Sequence, residues 1–513
     1  MSRWAQPVMG RHQQVLFSPT LNAAIPEDHP VRLFDEVLAA QDWRDWESQY
    51  VLVVGQPPIH PRVVASVILY GLSQGMRASR RLEWACGHAL DFMWLAEGRS
   101  IDHSTFCDFR TRFTAELKNL FRQLGRLAKG MGMIRLNQVA LDGTAIRANS
   151  SRHGTRKLQT IQEELAALDA RIEQMFAEAE QADRGQTDLF GQEVSPNHLP
   201  RELKDIRARQ EKLQAAMRAA EARGATASTR VGLTDPEAAV SPNKEGGFAP
   251  NYVPMTAVDG QSGLIVATAV VDRPDEGSQT VGLVDQIAED LGQLPEQVLA
   301  DSKHGTGNNL QELTDRGVEP FIALEQRQDN PENPAHREDP SIPVGEELAP
   351  KLPRNHRTKK FDRAAFVYDR PQDCYWCPQG RKLTFQHVQT DRGSATVRRY
   401  RIYRCSGCGD CPWAADCLNG TQDRVVSRDE NEDLREAMDR RLRTPEGRKT
   451  YSRRKWMAET PFAMLKGWMG IRQFLLRGLE KVRTEWLWCC TSFNLKKLVS
   501  LVAQVRASVR ATA

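Results

Sequence analysis

The chain of 513 residues contains no run of 18 or more apolar residues, which speaks against a membrane-spanning helix. Its opening, "MSRWAQPVMGRHQQ", lacks the charged-then-apolar layout of an export signal, so a cytoplasmic protein is expected. It also lacks a strong overall charge: 70 Lys and Arg against 66 Asp and Glu leave a net charge of +4, too small to imply a nucleic-acid partner by itself. Cysteine is scarce outside one stretch. Of ten cysteines, Cys86, Cys107, Cys489 and Cys490 sit among apolar residues, and the other six crowd into residues 374–417. In a chain without an export signal, such clustering favours metal over disulfides. The length exceeds what one hydrophobic core serves, so about two to four domains are expected.

What is present is uneven. Between Tyr451 and Arg483 there are eight Lys or Arg against two Glu, interleaved with aromatic and apolar residues, so this region should fold and present its positive charge on a surface. Residues 60–130 read as helices. "PRVVASVILYGLSQG" ends at a glycine, "SRRLEWACGHALDFMWL" opens on a capping serine, and a long amphipathic stretch follows Asp102 and Ser104. Helix, turn and a helix displaying Thr105, Arg110 and Arg112 fit either a helix-turn-helix entering a DNA groove or a plain helical bundle. Residues 135–147 switch to strand. Leu158, Ile161, Leu165, Leu168, Ile172 and Met175 recur at helical spacing, as do Leu203, Ile206, Gln210, Leu213 and Met217, which predicts an inserted antiparallel helical hairpin. It could mediate dimerisation or simply pack on itself. "NYVPMTAVDGQSGLIVATAVVD" then reads as a β-hairpin, followed by helix, the strand "EQVLADSKHG", and a last strand at "VEPFIALEQ". The fold class is α/β, with a mixed sheet. Six prolines in 331–353 mark an exposed linker.

The stretch "VALDGTAIRANSSRH", residues 139–153, aims an aspartate out of the end of a buried strand with basic residues behind it. "VLADSKHG" repeats the pattern, so Asp142 and Asp301 each terminate an apolar run. Strand-end aspartates commonly form turns. On adjacent strands, however, two would share one sheet edge, within reach of one divalent cation. Glu459, the only acid between Glu446 and Glu480, lies among Arg453, Arg454, Lys455 and Lys466 and supplies a third carboxylate. Three carboxylates holding magnesium beside a basic surface would suit phosphodiester cleavage. His304, three residues after Asp301, either steers a phosphate or serves as a hydrogen-bonded loop residue. The cysteines read Cys374-x2-Cys377 and Cys405-x2-Cys408-x2-Cys411-x5-Cys417, a spacing that suits a structural zinc in a small β-rich, zinc-ribbon-like module; the alternative is reduced thiols with no metal.

With these stretches in hand, the chain resembles the bacterial insertion-sequence DDE transposases. "ALDGTAIRANSS" matches the first Asp, "VLADSKHG" the second, and "YSRRKWMAETPFAMLKGWMGIRQFLLRGLEKV" the family's Tyr, Arg, Glu and Lys signature around the third acid. The resemblance implies an RNase H-like catalytic core. It assigns Asp142, Asp301 and Glu459 to catalysis and to Mg2+ or Mn2+, and Tyr451, Arg454 and Lys466 to DNA phosphates. Three residues commonly separate Arg from Glu in that signature. Arg454 leaves four and Lys455 three, so either could fill the role. Pro461, two residues beyond Glu459, is expected to begin or kink the helix.

The resemblance further implies binding of terminal inverted repeats, metal-dependent strand cleavage that leaves a 3′-hydroxyl, and strand transfer. The partners are then double-stranded DNA at transposon ends and target, a second copy of the chain on that DNA, and the bacterial nucleoid. A nuclease that cuts without joining, or a catalytically inactive DNA-binding regulator, are the rival readings. The expected domains are a helical DNA-binding domain over 1–132, the first part of the core over 133–330 with the hairpin at 155–230, the linker and cysteine-rich insertion over 331–445, and C-terminal helices over 446–513 that complete the core.

Overall fold

A computed structural model describes residues 20–50, 57–190, 201–243, 246–324, 332–391 and 398–512. The apolar runs picked out above form the spine of one sheet. Its five central strands are β1 (Gln138–Gly143), β2 (Phe248–Asp259), β3 (Ile265–Val271), β4 (Gln297–Ala300) and β5 (Glu319–Ile322). β2 pairs antiparallel with β1 and β3, whereas β4 runs parallel to both β1 and β5, giving the order β3-β2-β1-β4-β5. This mixed order is the RNase H-like arrangement. The β2–β3 hairpin turns where "DGQSG" predicts, because the Asp259 carboxylate accepts from the backbone N–H groups of Gln261 (3.1 Å) and Ser262 (2.8 Å). Short strands at Ile146–Arg147 and Ala239–Pro242 pair with the first half of β2.

Alternation along the strands divides the sheet. Val139 and Leu141 point into a large apolar cluster, while Ala140 and Leu299 point to the opposite face, where Met457 and Ala458 of the Pro445–Ala463 helix cover them with Phe321. Asp142 and Asp301, two residues beyond the Ala140–Leu299 pair on adjacent parallel strands, fall on that second face.

The large cluster is continuous from Ile25 to Val502. The Leu479–Thr512 helix joins the N-terminal helices to the sheet: Trp488 packs against Trp46 and Phe109, and Asn494 bonds both backbone polar atoms of Ile265. The expected boundary after residue 132 thus falls inside one core, between Ala128 and Ile134. Two expected helices are each divided. "SRRLEWACGHALDFMWL" breaks at Ala89, whose backbone is extended, and Ser79 is the first helical residue rather than a cap. The stretch after Asp102 breaks at Phe113, whose ring is buried against Trp46, Phe109 and Tyr50. Tertiary packing overrides helical continuity there. Asp102 does cap, accepting from Ser104 N at 2.7 Å. No helix among the described residues is long and apolar enough to cross a membrane.

The helical hairpin is present as Leu158–Phe190 and Arg201–Glu221, its base closed by Leu158, Ile161 and Leu165 against Leu213, Ala216 and Ala220; most of its expected connection, 191–200, lies outside the described residues. The cysteine-rich stretch forms a second, five-stranded antiparallel sheet from Val367 to Asp429 with its own core of Phe361, Tyr375, Leu383, Tyr403 and Val426. The Glu432–Arg443 helix leads from it back to β5, and Thr444 caps the Pro445–Ala463 helix. Pro461 does not begin that helix. It lies inside it, and the chain then opens into a π-helical turn at Met464–Trp468.

Candidate active site

The two strand-end aspartates are joined through one guanidinium. Arg454 Nη2 lies 3.4 Å from Asp142 Oδ1 and 3.8 Å from Asp301 Oδ2. All three side chains are mostly buried, so water screens the charges little. Burial pushes the Asp142 carboxyl up to about 6; Arg454 opposes this shift, and Asp301 and Glu276 reinforce it.

Glu276 had no signal in the sequence. It follows β3 in a loop crowded with acids, without periodicity, and its significance is purely spatial. Its carboxylate lies against Gly143. A Cβ at that position would stand 2.7 Å from the Glu276 carboxyl carbon, so the glycine after Asp142 is what lets the two acids approach. Lys303 Nζ donates to Glu276 Oε1 at 2.6 Å, while Oε2 is buried without a partner. Oxygens of Glu276 and Asp301 and a ring nitrogen of His304 all lie within 4.8 Å of one another. His304 is fully buried, and burial holds its imidazole below the usual histidine range; its Nδ1 meets Thr280 Oγ1 at 2.8 Å.

The Pro445–Ala463 helix disperses the remaining sequence candidates. Arg454 faces the sheet and its acids, whereas Lys455 is exposed. Tyr451, half-buried between them and β5, has its phenol raised by burial. Glu459 lies five residues after Arg454, about 140° further round the helix. It is exposed and makes no hydrogen bond or ion pair among the described residues. Among the described residues, Asp142, Asp301 and Glu459 do not bring three ligand atoms within 4.8 Å of one another, as Glu276, Asp301 and His304 do. Lys466, on the π-helical turn, donates to Thr144 Oγ1 and, at 3.2 Å, to Ala145 O, which brings a second cation beside the end of β1. Arg112 is exposed, its guanidinium over the Tyr50 ring at 5.0 Å. Arg110 is not on that surface: it turns inward, donates to Arg77 O at 2.6 Å, and lines a small cavity with Leu72, Glu485 and Trp488.

Two regions of the chain match transposase families. Residues 376–499, which include Arg454, Glu459 and Lys466, match a family model described as "Transposase DDE domain". Residues 19–112, the N-terminal helices, match "Transposase domain (DUF772)". The chain thus carries two transposase domains, one of them of the DDE class, which supports an insertion-sequence DDE transposase. No curated protein matches it. In this transposase the DDE match includes five of the clustered cysteines and leaves out Cys374. The structure divides them the same way. Cys377 and Cys405 are hydrogen-bonded, Cys405 also meets Cys408, and Cys417 lies near Cys377, Cys408 and Cys411. The hydrogen bond from Cys405 draws the Cys377 thiol down to about 6, and Cys405 is driven up in return. Cys374, within a strand, is surrounded instead by Asp369, Asp373 and Lys382.

Proposed function

We propose that this transposase binds the terminal inverted repeats of its element, cleaves the DNA there and joins the freed ends to a target. The supporting observation is the convergence of Asp142 and Asp301, 159 residues apart, at the ends of adjacent parallel strands under Arg454. Two mostly buried acids held by one guanidinium concentrate negative charge, and the unpartnered Glu276 Oε2 and His304 Nε2 beside them are donors suited to a divalent ion. Asp142 and Asp301 would hold Mg2+ or Mn2+, with Glu459, which stands apart from them here, as the third ligand of this reading; the ion when bound supplies Lewis-acid stabilisation of the transferring phosphoryl group. Exposed Glu459 is placed on the helix that also carries Arg454, so DNA seated along this helix would bring its phosphates to the acids. Tyr451, Arg454, Lys455 and Lys466 then orient the scissile phosphate and offset charge developing on its oxygens. Arg112, on the N-terminal helices, is a phosphate contact further along the duplex.

Two ends must be brought together for excision, so a pair of chains on the DNA is part of this reading. The converging cysteines Cys377, Cys405, Cys408, Cys411 and Cys417 are the thiolates from which a structural zinc would draw its four ligands; an all-thiolate set has no opening for substrate. The test is incubation of the purified protein with Mg2+ and labelled duplexes carrying the element's ends. Nicking followed by joined products is expected. Nicking without joining of pre-cleaved ends would make it a nuclease, and end binding without any nicking would make it a regulator.

A further inference from the structure

Glu276 and His304 stand apart from the strand-end and helix acids, yet each carries a buried, unpartnered atom, and the two side chains meet Asp301 with ligand atoms within 4.8 Å of one another. We infer that Glu276, Asp301 and His304 form a second divalent-cation site of two carboxylates and one imidazole, which takes a manganese-like ion in preference to magnesium. This rests on the reading of Asp301 as a cation ligand given above.

The hydrogen bonds around His304 fix which nitrogen is available. Thr280 Oγ1 donates to Gly277 O at 2.9 Å, so toward the ring it can only accept, and His304 Nδ1 carries the proton at 2.8 Å. Asn309 Nδ2 occupies the other side of that hydroxyl at 3.1 Å. The lone pair is therefore on Nε2, which is fully buried, has no hydrogen-bond partner, and stands 3.9 Å from Asp301 Oδ1. Proton on one nitrogen held by the protein, lone pair of the other pointing at a carboxylate: this is how ligating histidines are oriented. Glu276 is arranged in the same manner. Lys303 takes Oε1, leaving Oε2 bare. Asp301 faces both ways, with Oδ1 toward His304 and Oδ2 toward Arg454 and the Asp142 side. A carboxylate so placed joins two neighbouring cation sites. The nitrogen donor sets the preference, because Mg2+ selects oxygen ligands whereas imidazole suits transition-metal ions. Lys303 supplies the charge that an ion would otherwise supply.

Pulsed electron paramagnetic resonance of the full-length protein loaded with MnCl2 tests the site directly. A directly bound nitrogen is expected in the wild-type spectrum and is expected to vanish in His304→Gln. Mn2+ affinity, read from the free-ion signal, should fall about tenfold or more in Glu276→Gln and in His304→Gln, and rise several-fold in Lys303→Met. A wild-type spectrum without nitrogen coupling, or coupling that survives in His304→Gln, overturns the site; the wild-type measurement decides even if a variant does not fold. Asp142→Asn separates this inference from the functional reading. It should abolish DNA cleavage while keeping the nitrogen signal. Cleavage that needs Asp142 without any nitrogen signal sinks this site alone, and cleavage that survives Asp142→Asn sinks the functional reading alone.

Discussion

Two clusters of buried charge, one at the sheet edge and one in the cysteine-rich module, resolve the same electrostatic problem differently. In the module, Arg428 is 4% exposed; it pairs with Asp433 at 2.6 Å and Glu436 at 2.8 Å and lies over the Tyr368 ring at 3.9 Å. Next to it, Arg363 binds the buried Glu432 at 2.7 Å. At the sheet edge, by contrast, Arg454 spans two aspartates at 3.4 and 3.8 Å, and Glu276 Oε2 and His304 Nε2 have no partner. Close partners compensate buried charge, whereas a buried polar atom without one calls for an explanation, and a bound ion is one such explanation. On the proposed reading, the difference is that between a structural ion-pair network and a ligand site.

The contrast can be broken or sharpened by mutation. Largest in effect, Asp142→Asn should reduce strand cleavage by about a thousandfold or more, with thermal denaturation essentially unchanged. Cleavage near the wild-type rate would show that the edge cluster is structural after all. Arg428→Ala should behave oppositely. It removes a buried guanidinium packed on Tyr368, but the acids it leaves, Asp433 and Glu436, are 52% and 38% exposed and screened by water, so the cost in chemical denaturation of the module should be about 1–3 kcal/mol. A stability loss well below 1 kcal/mol would erase the distinction. Gly143→Ala presses a methyl group onto the Glu276 carboxylate and should cost about 1–3 kcal/mol; a neutral result in a denaturation curve would mean that Glu276 moves freely. Smallest in effect, Lys466→Met should weaken binding to end-containing DNA several-fold and lower the salt dependence of that binding by about one counterion. An unchanged salt slope in a filter-binding titration would remove Lys466 from the phosphate contacts.

The parts of the site that were legible in sequence were those tied to local pattern. Asp142 and Asp301 stood out because an apolar run followed by an acid is a one-dimensional signal, and parallel pairing of β1 with β4 put them side by side. The hairpin at Asp259–Gly263 was legible for the same reason. The helices after Ser79 and Asp102 were legible as helices but not in their breaks, since Phe113 interrupts the second only because Trp46 and Tyr50, far away in the chain, bury its ring. The cysteine spacing was legible, but not that Cys374 sits within a strand away from the others, a matter of which side of the sheet each residue faces. Glu276 was illegible. Nothing in its neighbourhood distinguishes it from Asp272 or Asp275, and only the space above Gly143 selects it.

Periodicity and strand-end chemistry in the sequence alone were enough to determine the mixed sheet, the helical hairpin, the two aspartates and the basic C-terminal helix, because each depends on neighbours a few residues away. Only the tertiary structure decided that the N-terminal helices share a core with the sheet, that Arg454 rather than Lys455 reaches the acids, and that Glu276 and His304 join them. Those outcomes depend on distances between residues remote in the chain, and no local pattern encodes a distance.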